Sequence, residues 1–108
     1  MNMIGGGMMY SKGDIVVINF PYSDLTDTKK RPAIILAEKG NDILVCSITS
    51  NPESEGIQIK EGTLPLKSKI KYWRIQALLK NSVLRKVAKL DNEDHNLLIK
   101  KINELIKI

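Results

Sequence analysis

The chain has 108 residues, of which 17 are lysine or arginine and 12 are aspartate or glutamate, giving a formal net charge of +5. Its length suits one domain with a core of its own, and its 43% apolar and 27% charged residues are typical of a globular protein. A single cysteine, Cys46, and a single histidine, His95, exclude an internal disulfide and a cysteine- or histidine-rich metal site. We therefore expect no metal and no cofactor. No apolar run approaches the roughly 20 residues of a membrane-spanning helix, so we expect no membrane partner.

The amino-terminal residues contain three consecutive glycines, Gly5 to Gly7. We expect residues 1–11 to be a flexible leader and residues 12–108 to form the domain. The leader lacks the cationic start and long apolar segment of a secretory signal, and the only thiol has no partner in the chain. Both features favour a cytoplasmic location.

Short β-branched runs separated by turn residues predict a series of strands. They cover residues 15–20, 33–36, 43–48, 57–59, 70–75 and 83–90, with a hairpin turn at 39–42 and a connection or short helical turn at 76–82. Pro32 has no N–H and is expected at the start of the second strand. Asp91 is a good N-cap for a final helix with apolar residues at helical spacing. Many strands followed by one helix predict a mainly β fold, a small, curled and mostly antiparallel sheet with a carboxyl-terminal helix.

Positive charge is concentrated in the second half of the chain. Residues 1–55 carry five basic and seven acidic side chains, whereas residues 56–108 carry 12 and five. Between Lys67 and Lys89 there are eight cations and no acid. Such a stretch attracts RNA or an acidic protein segment, although an ordinary solvated surface is an equal alternative. If the strand alternates regularly, Lys69, Lys71 and Trp73 share one face.

Two positions are candidates for phosphate binding. Arg31 lies where a polar loop enters the second strand, and a guanidinium can bind phosphate through two parallel hydrogen bonds. Thr49 lies directly after the third strand. A hairpin joins these strands, so the start of one lies near the end of the other and both residues are expected at one edge of the sheet. The alternatives are a surface arginine and a turn threonine before Asn51 and Pro52.

Six segments of the chain occur together in a characteristic order. They are Lys12-Gly13-Asp14-Ile15-Val16-Val17, Phe20-Pro21, Lys30-Arg31-Pro32-Ala33-Ile34-Ile35-Leu36, Ile48-Thr49-Ser50, Trp73-Arg74-Ile75-Gln76 and Lys86-Val87-Ala88-Lys89-Leu90. In this order they resemble the MazF/PemK toxins over nearly all of the chain from Lys12 onward. The resemblance implies an SH3-like barrel of the CcdB/PemK type that usually forms a homodimer. It also implies a metal-independent endoribonuclease that cuts single-stranded RNA and is neutralised by an acidic antitoxin.

The resemblance also implies roles for individual residues. Arg31 matches the catalytic arginine, Thr49 matches the catalytic threonine, and Gln76 matches a polar residue near the substrate groove. The remaining expected substrate-binding residues are Lys30, Ser50, Lys69 and Lys71. In the implied reaction a ribose 2′-hydroxyl attacks its own phosphate, and the arginine stabilises the added negative charge.

Two positions depart from the family pattern. Some relatives carry an acid five residues before the arginine, where this chain has Thr26, so either Asp24 or Asp27 replaces it or the acid is not needed. An arginine often found two residues after the glutamine is Leu78 here. These departures concern efficiency and sequence preference more than fold.

Two other classes of function compete with the ribonuclease. One is a non-enzymatic, CcdB-like toxin that inhibits a protein target such as gyrase, and the other is a barrel that only binds RNA. The combination of Arg31 and Thr49 favours the ribonuclease. Aromatic residues are only 5% of the chain, which argues against a protein that binds RNA by stacking alone.

Overall fold

The computed structural model describes residues 10–21 and 28–108 and consists of six strands and one helix. The strands are β1 (Asp14–Pro21), β2 (Thr28–Lys39), β3 (Asp42–Thr49), β4 (Ile57–Gln58), β5 (Lys69–Leu79) and β6 (Val83–Lys89). A 3₁₀ turn (Lys80–Ser82) connects β5 to β6, and α1 (Asn92–Ile106) follows β6. The predicted leader, residues 1–11, lies mostly outside the described residues, and its boundary stays a prediction.

All strand pairs of the sheet are antiparallel, in the order β4-β5-β3-β2-β1-β6. The sheet is curled, with β4 and β6 at its edges, and these two strands do not pair within the described residues. The predicted mainly β fold with a carboxyl-terminal helix is therefore confirmed, as a curled sheet rather than a closed barrel.

Two predicted element boundaries were wrong. Residues 76–79 are not a connection, because Gln76 to Leu79 extend β5 by pairing with β3. Pro32 is not at the start of β2, which begins four residues earlier at Thr28. The sheet tolerates Pro32 because pairing with β3 starts only at Ala33, so β2 has a single neighbour, β1, at the proline.

Apolar side chains are buried on both faces of the sheet, since alternate residues of a strand point to opposite faces. One core contains Ile15, Ile34, Leu36, Cys46, Ile48, Ile57, Ile59, Ile70, Leu90 and Leu98. The other contains Val16, Ile18, Ala33, Ile35, Ile43 and Val45. Strands β1, β2 and β3 contribute to both cores and form the rigid centre of the structure.

The helix is fixed at its amino-terminal end, as the sequence predicts. Asp91 caps it by accepting a hydrogen bond from the Glu93 N–H at 3.1 Å. Asp94 accepts another from the Lys60 N–H at 2.9 Å, and Leu98 is fully buried in the first core. Within the described residues, α1 and the other helical segment are too short or too polar to cross a membrane.

A buried carboxylate connects β1 to β6, the last strand of the chain. Asp14 is 3% exposed, and it accepts hydrogen bonds from the Ser11 N–H at 2.8 Å and from Lys89 Nζ at 3.2 Å. Lys86 Nζ lies 3.1 Å from the same carboxylate. Burial acts to raise the pKa of Asp14, but the hydrogen bonds from Ser11, Lys86 and Lys89 outweigh it and hold the pKa below its ordinary value of 3.8.

We expect Asp14→Asn to lower the free energy of unfolding by about 1.5–3 kcal/mol at pH 7, because hydrogen bonds to a charged group are lost. The pKa is lower in the folded than in the unfolded state, so this stabilisation is complete above the unfolded value near 3.8 and disappears as the pH falls through the folded value. Urea unfolding followed by circular dichroism at pH 7 and pH 3 measures both effects.

The matched control is Asp42→Asn, because Asp42 is exposed at the start of β3. Its effect should stay within about 0.5 kcal/mol. An Asp14→Asn protein with wild-type stability at pH 7 would contradict the role of Asp14.

Candidate active site

Arg31 and Thr49 lie opposite one another where two central strands separate. The last pair between β2 and β3 is Ala33 with Ser47. Two residues further along the same register, Arg31 and Thr49 would be partners, but the strands no longer pair there. Arg31 is still held from the other side, because it pairs with Ile18 of β1. The hairpin thus places both residues at one end of the sheet, as predicted.

The gap between the separated strands is a pocket of about 390 Å³. It is lined by Phe20, Arg31, Pro32, Ser47, Ile48, Thr49, Lys71, Arg74 and Gln76. Three of these side chains are cations, and none of the described lining residues is an acid. The pocket therefore has the charge and the hydrogen-bond donors of an anion-binding site.

A bulge in β5 supplies one of the cations. Ser47 pairs with Lys71, whereas the preceding residue, Cys46, pairs with Ile75, so residues 72–74 have no partners on β3. The Cys46 thiol donates to the Tyr72 carbonyl at a sulfur–oxygen distance of 3.7 Å, which supports the bulge. Because of this shift, Arg74 joins Lys71 at the pocket.

The regular alternation expected for Lys69, Lys71 and Trp73 is therefore interrupted after Lys71. Trp73 does not line the pocket, and its ring packs edge-on against Tyr72 with centroids 5.1 Å apart. Arg74 belongs to the basic run, but regular alternation along β5 would place it on the face opposite Lys71. No signal in the sequence marks the position of the bulge.

Of the other predicted site residues, two line the same pocket, two line a neighbouring pocket and one lines neither. Lys71 and Gln76 line the pocket with Arg31 and Thr49. Ser50 and Lys69 line a neighbouring pocket of about 460 Å³. Lys30 is exposed on β2 and lines neither of them.

Thr49 lies at the junction of three concave surfaces. It lines the two pockets above and a third, of about 470 Å³, which also includes Arg31. The third pocket has mainly apolar walls, formed by Val17, Leu64, Pro65, Leu66 and Val87. An extended ligand could thus place a charged group at Arg31 and Thr49 and apolar or flat groups beside it.

The basic run from Lys67 to Lys89 does not form one continuous patch. Lys80 pairs with Glu38 at 2.9 Å, and both Lys86 and Lys89 contact Asp14. These three cations contribute to the fold. The predicted attraction for a polyanion therefore depends on the cations of the run that remain, which include Lys71 and Arg74 at the pocket.

The structure describes only one of the two positions that depart from the family pattern, Leu78. Thr26, Asp24 and Asp27 lie outside the described residues. Leu78 packs against the second core, on the face that contains Ile43 and Val45. The leucine at this position is explained by apolar packing.

Cys46 is a core residue, and the described residues form no cluster of metal ligands. Cys46 is fully buried, and burial raises the pKa of its thiol to about 12, which keeps it protonated. The described part of the chain brings no three His, Cys, Asp or Glu side chains together in a way that could hold a metal ion.

The fold is shared with several solved toxin structures. The MazE–MazF complex of Deinococcus radiodurans in its form II crystal matches with a TM-score of 0.81 and 15% identity, over 94% of this chain and 99% of that chain. MazF from the same organism matches with a TM-score of 0.76 and 16% identity, over 94% and 100%. A mycobacterial endoribonuclease in complex with its cognate antitoxin matches with a TM-score of 0.76 and 11% identity, over 93% and 97%. At these identities the likeness establishes the fold alone.

The family follows from the sequence itself. Residues 11–106 match the model of the PemK-like, MazF-like toxins of type II toxin–antitoxin systems. Comparison with curated proteins gives no significant match. With nearly the whole chain matched and the fold shared, the protein is a small β-sheet toxin of a toxin–antitoxin system. It belongs to the PemK/MazF-like family.

Proposed function

We propose that the protein is an endoribonuclease that cleaves single-stranded RNA, including mRNA, by attack of a ribose 2′-hydroxyl without a metal ion. The observation that carries this proposal is the pocket in which Arg31 and Thr49 meet Lys71 and Arg74. The mycobacterial protein with the same fold is named an endoribonuclease, which supports the proposed activity. The pocket suits a phosphodiester, because three cations and a hydroxyl converge on it.

In the proposed reaction, the 2′-oxygen bonds to the neighbouring phosphorus as its proton passes to water. The bond from phosphorus to the 5′-oxygen breaks, and that oxygen takes a proton from water. The products are a 2′,3′-cyclic phosphate and a 5′-hydroxyl. The described lining of the pocket has no carboxylate or imidazole, so we assign these residues to charge stabilisation rather than to proton abstraction.

Each described side chain then has a distinct role. Arg31 stabilises the charge that develops on the phosphorane oxygens, since a preorganised guanidinium costs no reorganisation during the reaction. Thr49 donates a hydrogen bond from its hydroxyl to a phosphate oxygen. Lys71 and Arg74 bind flanking phosphates, and Gln76 contacts a base.

We also propose that an acidic antitoxin neutralises the protein and that the active form is a homodimer in the cytoplasm. One of the similar structures is a complex with its cognate antitoxin and another is a MazE–MazF complex, which supports the first point. An acidic segment bound at Lys71 and Arg74 would compete with RNA for the same cations. Binding of the antitoxin should therefore block cleavage of RNA. An antitoxin that binds while cleavage continues would contradict competition for these cations.

We expect Arg31→Ala to lower the rate of RNA cleavage by about 10²–10³-fold, because one preorganised contact to the developing negative charge is lost. Lys30→Ala is the matched control, since Lys30 is the adjacent exposed cation and lines none of the three pockets. Initial rates on single-stranded RNA in EDTA, with circular dichroism as the test of folding, compare the two.

Near-normal cleavage by a folded Arg31→Ala protein would overturn the assignment of Arg31. If the wild type leaves RNA intact and inhibits gyrase, the protein is instead a CcdB-like toxin. Retention of RNA without cleavage would indicate a binding protein.

We expect Thr49→Val to reduce cleavage by about 10²-fold, because valine keeps the shape of threonine and removes the hydroxyl. Thr49→Ser should retain most of the activity, and Ser50→Ala should have a much smaller effect than Thr49→Val. Single-turnover rates with excess enzyme separate the chemical step from binding. A larger effect at Ser50 than at Thr49 would mean that the neighbouring hydroxyl is the functional one.

Binding of RNA should depend on salt through the three cations of the pocket. For single strands the slope of log affinity against log salt is about −0.7 per phosphate contact, so three contacts give a slope of about −2. We expect Lys71→Met to flatten the slope by about 0.7, whereas Lys101→Met on α1 should leave it unchanged. A 2′-O-methylated RNA, which cannot be cleaved, allows this measurement. A slope near zero would show that the pocket does not bind the backbone.

A further inference from the structure

Lys69 was expected to bind substrate, but its ammonium group is engaged within the protein. Its Nζ donates to the Ser54 carbonyl at 2.8 Å and to the Pro52 carbonyl at 3.2 Å. An ammonium has three donor hydrogens, so two of them are used in holding this segment. Lys69 therefore connects β5 to the loop that follows Thr49.

Lys69 is also the direct neighbour of Thr49 in the sheet. The two residues are paired across β3 and β5 at the last position of that ladder. The backbone of Thr49 is thus held by the sheet, while the chain leaves the sheet immediately after it. The loop begins at the residue whose hydroxyl the reaction needs.

The loop fixes the direction of that hydroxyl. The Asn51 N–H donates to Thr49 Oγ1 at 3.1 Å, which is the hydrogen bond of a threonine turn. A hydroxyl has one proton and two lone pairs, so a donor on one lone pair leaves the proton to be donated elsewhere. Thr49 lines the pocket with Arg31, and its proton is available to a ligand there.

Further contacts make the loop a single unit. Asn51 Oδ1 accepts from the Glu53 N–H at 3.0 Å, and the Asn51 carbonyl accepts from the Ser54 N–H at 3.1 Å. At its far end, Gly56 has φ of +140° and passes so close to β5 that an added Cβ would lie 2.5 Å from the Ile70 carbonyl oxygen. Movement of residues 52–54 would therefore be transmitted to Asn51 and to its bond with Thr49.

We propose that Lys69 is a positioning residue that holds the loop at Pro52 and Ser54, so that the Asn51 N–H keeps the Thr49 hydroxyl turned towards the substrate phosphate. The proposal rests on the proposed ribonuclease function for its effect on rate. The contact between Lys69 and the loop rests only on the two hydrogen bonds to the Pro52 and Ser54 carbonyls.

The test compares Lys69→Met, Lys69→Arg and the control Lys67→Met. We expect Lys69→Met to lower the single-turnover rate by about 10- to 100-fold, because a small misplacement of a catalytic group has effects of this size. RNA affinity and its salt slope should stay unchanged, since no phosphate contact is lost. Lys69→Arg should restore most of the rate, and Lys67→Met should keep it.

A second variant and a direct probe of the loop complete the experiment. Asn51→Ala removes only the acceptor for the Glu53 N–H at an exposed position, and it should lower the rate in the same direction but less. Amide hydrogen exchange measured by NMR should show faster exchange at Asn51 and Ser54 in Lys69→Met. The double variant Thr49→Val/Lys69→Met should be no slower than Thr49→Val alone, because both changes remove the same contact.

The possible results separate the two proposals. A flattened salt slope with weaker binding in Lys69→Met would make Lys69 a substrate contact and overturn the positioning role. A wild-type rate in Lys69→Met would overturn it as well. If the wild-type protein leaves RNA intact, the proposed ribonuclease function is wrong. Unchanged amide exchange in Lys69→Met would show, independently of RNA cleavage, that Lys69 does not hold the loop.

Discussion

The separation of β2 from β3 is the feature on which the site depends. Pairing between them ends at Ala33 and Ser47, next to Pro32, which has no N–H to donate across the gap. Because β1 continues to pair with β2 as far as Thr28, the separated end of β2 stays extended and supported from one side. Arg31 is thus held on a rigid strand and yet faces an open pocket. A continuous ladder at this position would close the space that the pocket occupies.

The positive charge of the chain is divided between the fold and the site. Three lysines of the basic run neutralise Glu38 and the buried Asp14, and Lys69 binds backbone carbonyls. These four lysines are engaged within the protein, although a count of charges along the sequence would include them in a binding surface. What remains at the pocket is a small set in a defined geometry rather than a diffuse basic surface. Specific binding of one phosphate requires this arrangement, since a diffuse field attracts any polyanion equally.

The sequence predicts what is encoded locally. β-branched runs and turn residues locate all six strands, Asp91 marks the start of the helix, and the hairpin predicts that Arg31 and Thr49 meet. The bulge that brings Arg74 to the pocket was not predictable, because it depends on the partner strand and on a thiol that contacts the Tyr72 carbonyl. The extension of β5 to Leu79 likewise depends on the length of β3. The engagement of Lys69 has no sequence signature, since its acceptors are main-chain oxygens.

The two kinds of group in the pocket differ in how accurately they must be placed, and the structure treats them differently. Coulomb attraction between a cation and a phosphate falls slowly with distance, so the phosphate contacts proposed for Lys71 and Arg74 do not require close positioning of these side chains. A hydroxyl proton must meet its acceptor within a narrow range of distance and angle. Thr49 accordingly receives a hydrogen bond from Asn51, whose loop is in turn held by Lys69. Among the described residues the Thr49 hydroxyl has support of this kind, through Asn51 and Lys69. We therefore expect the residues that position the hydroxyl to influence the rate, and Lys71 and Arg74 to influence mainly the affinity.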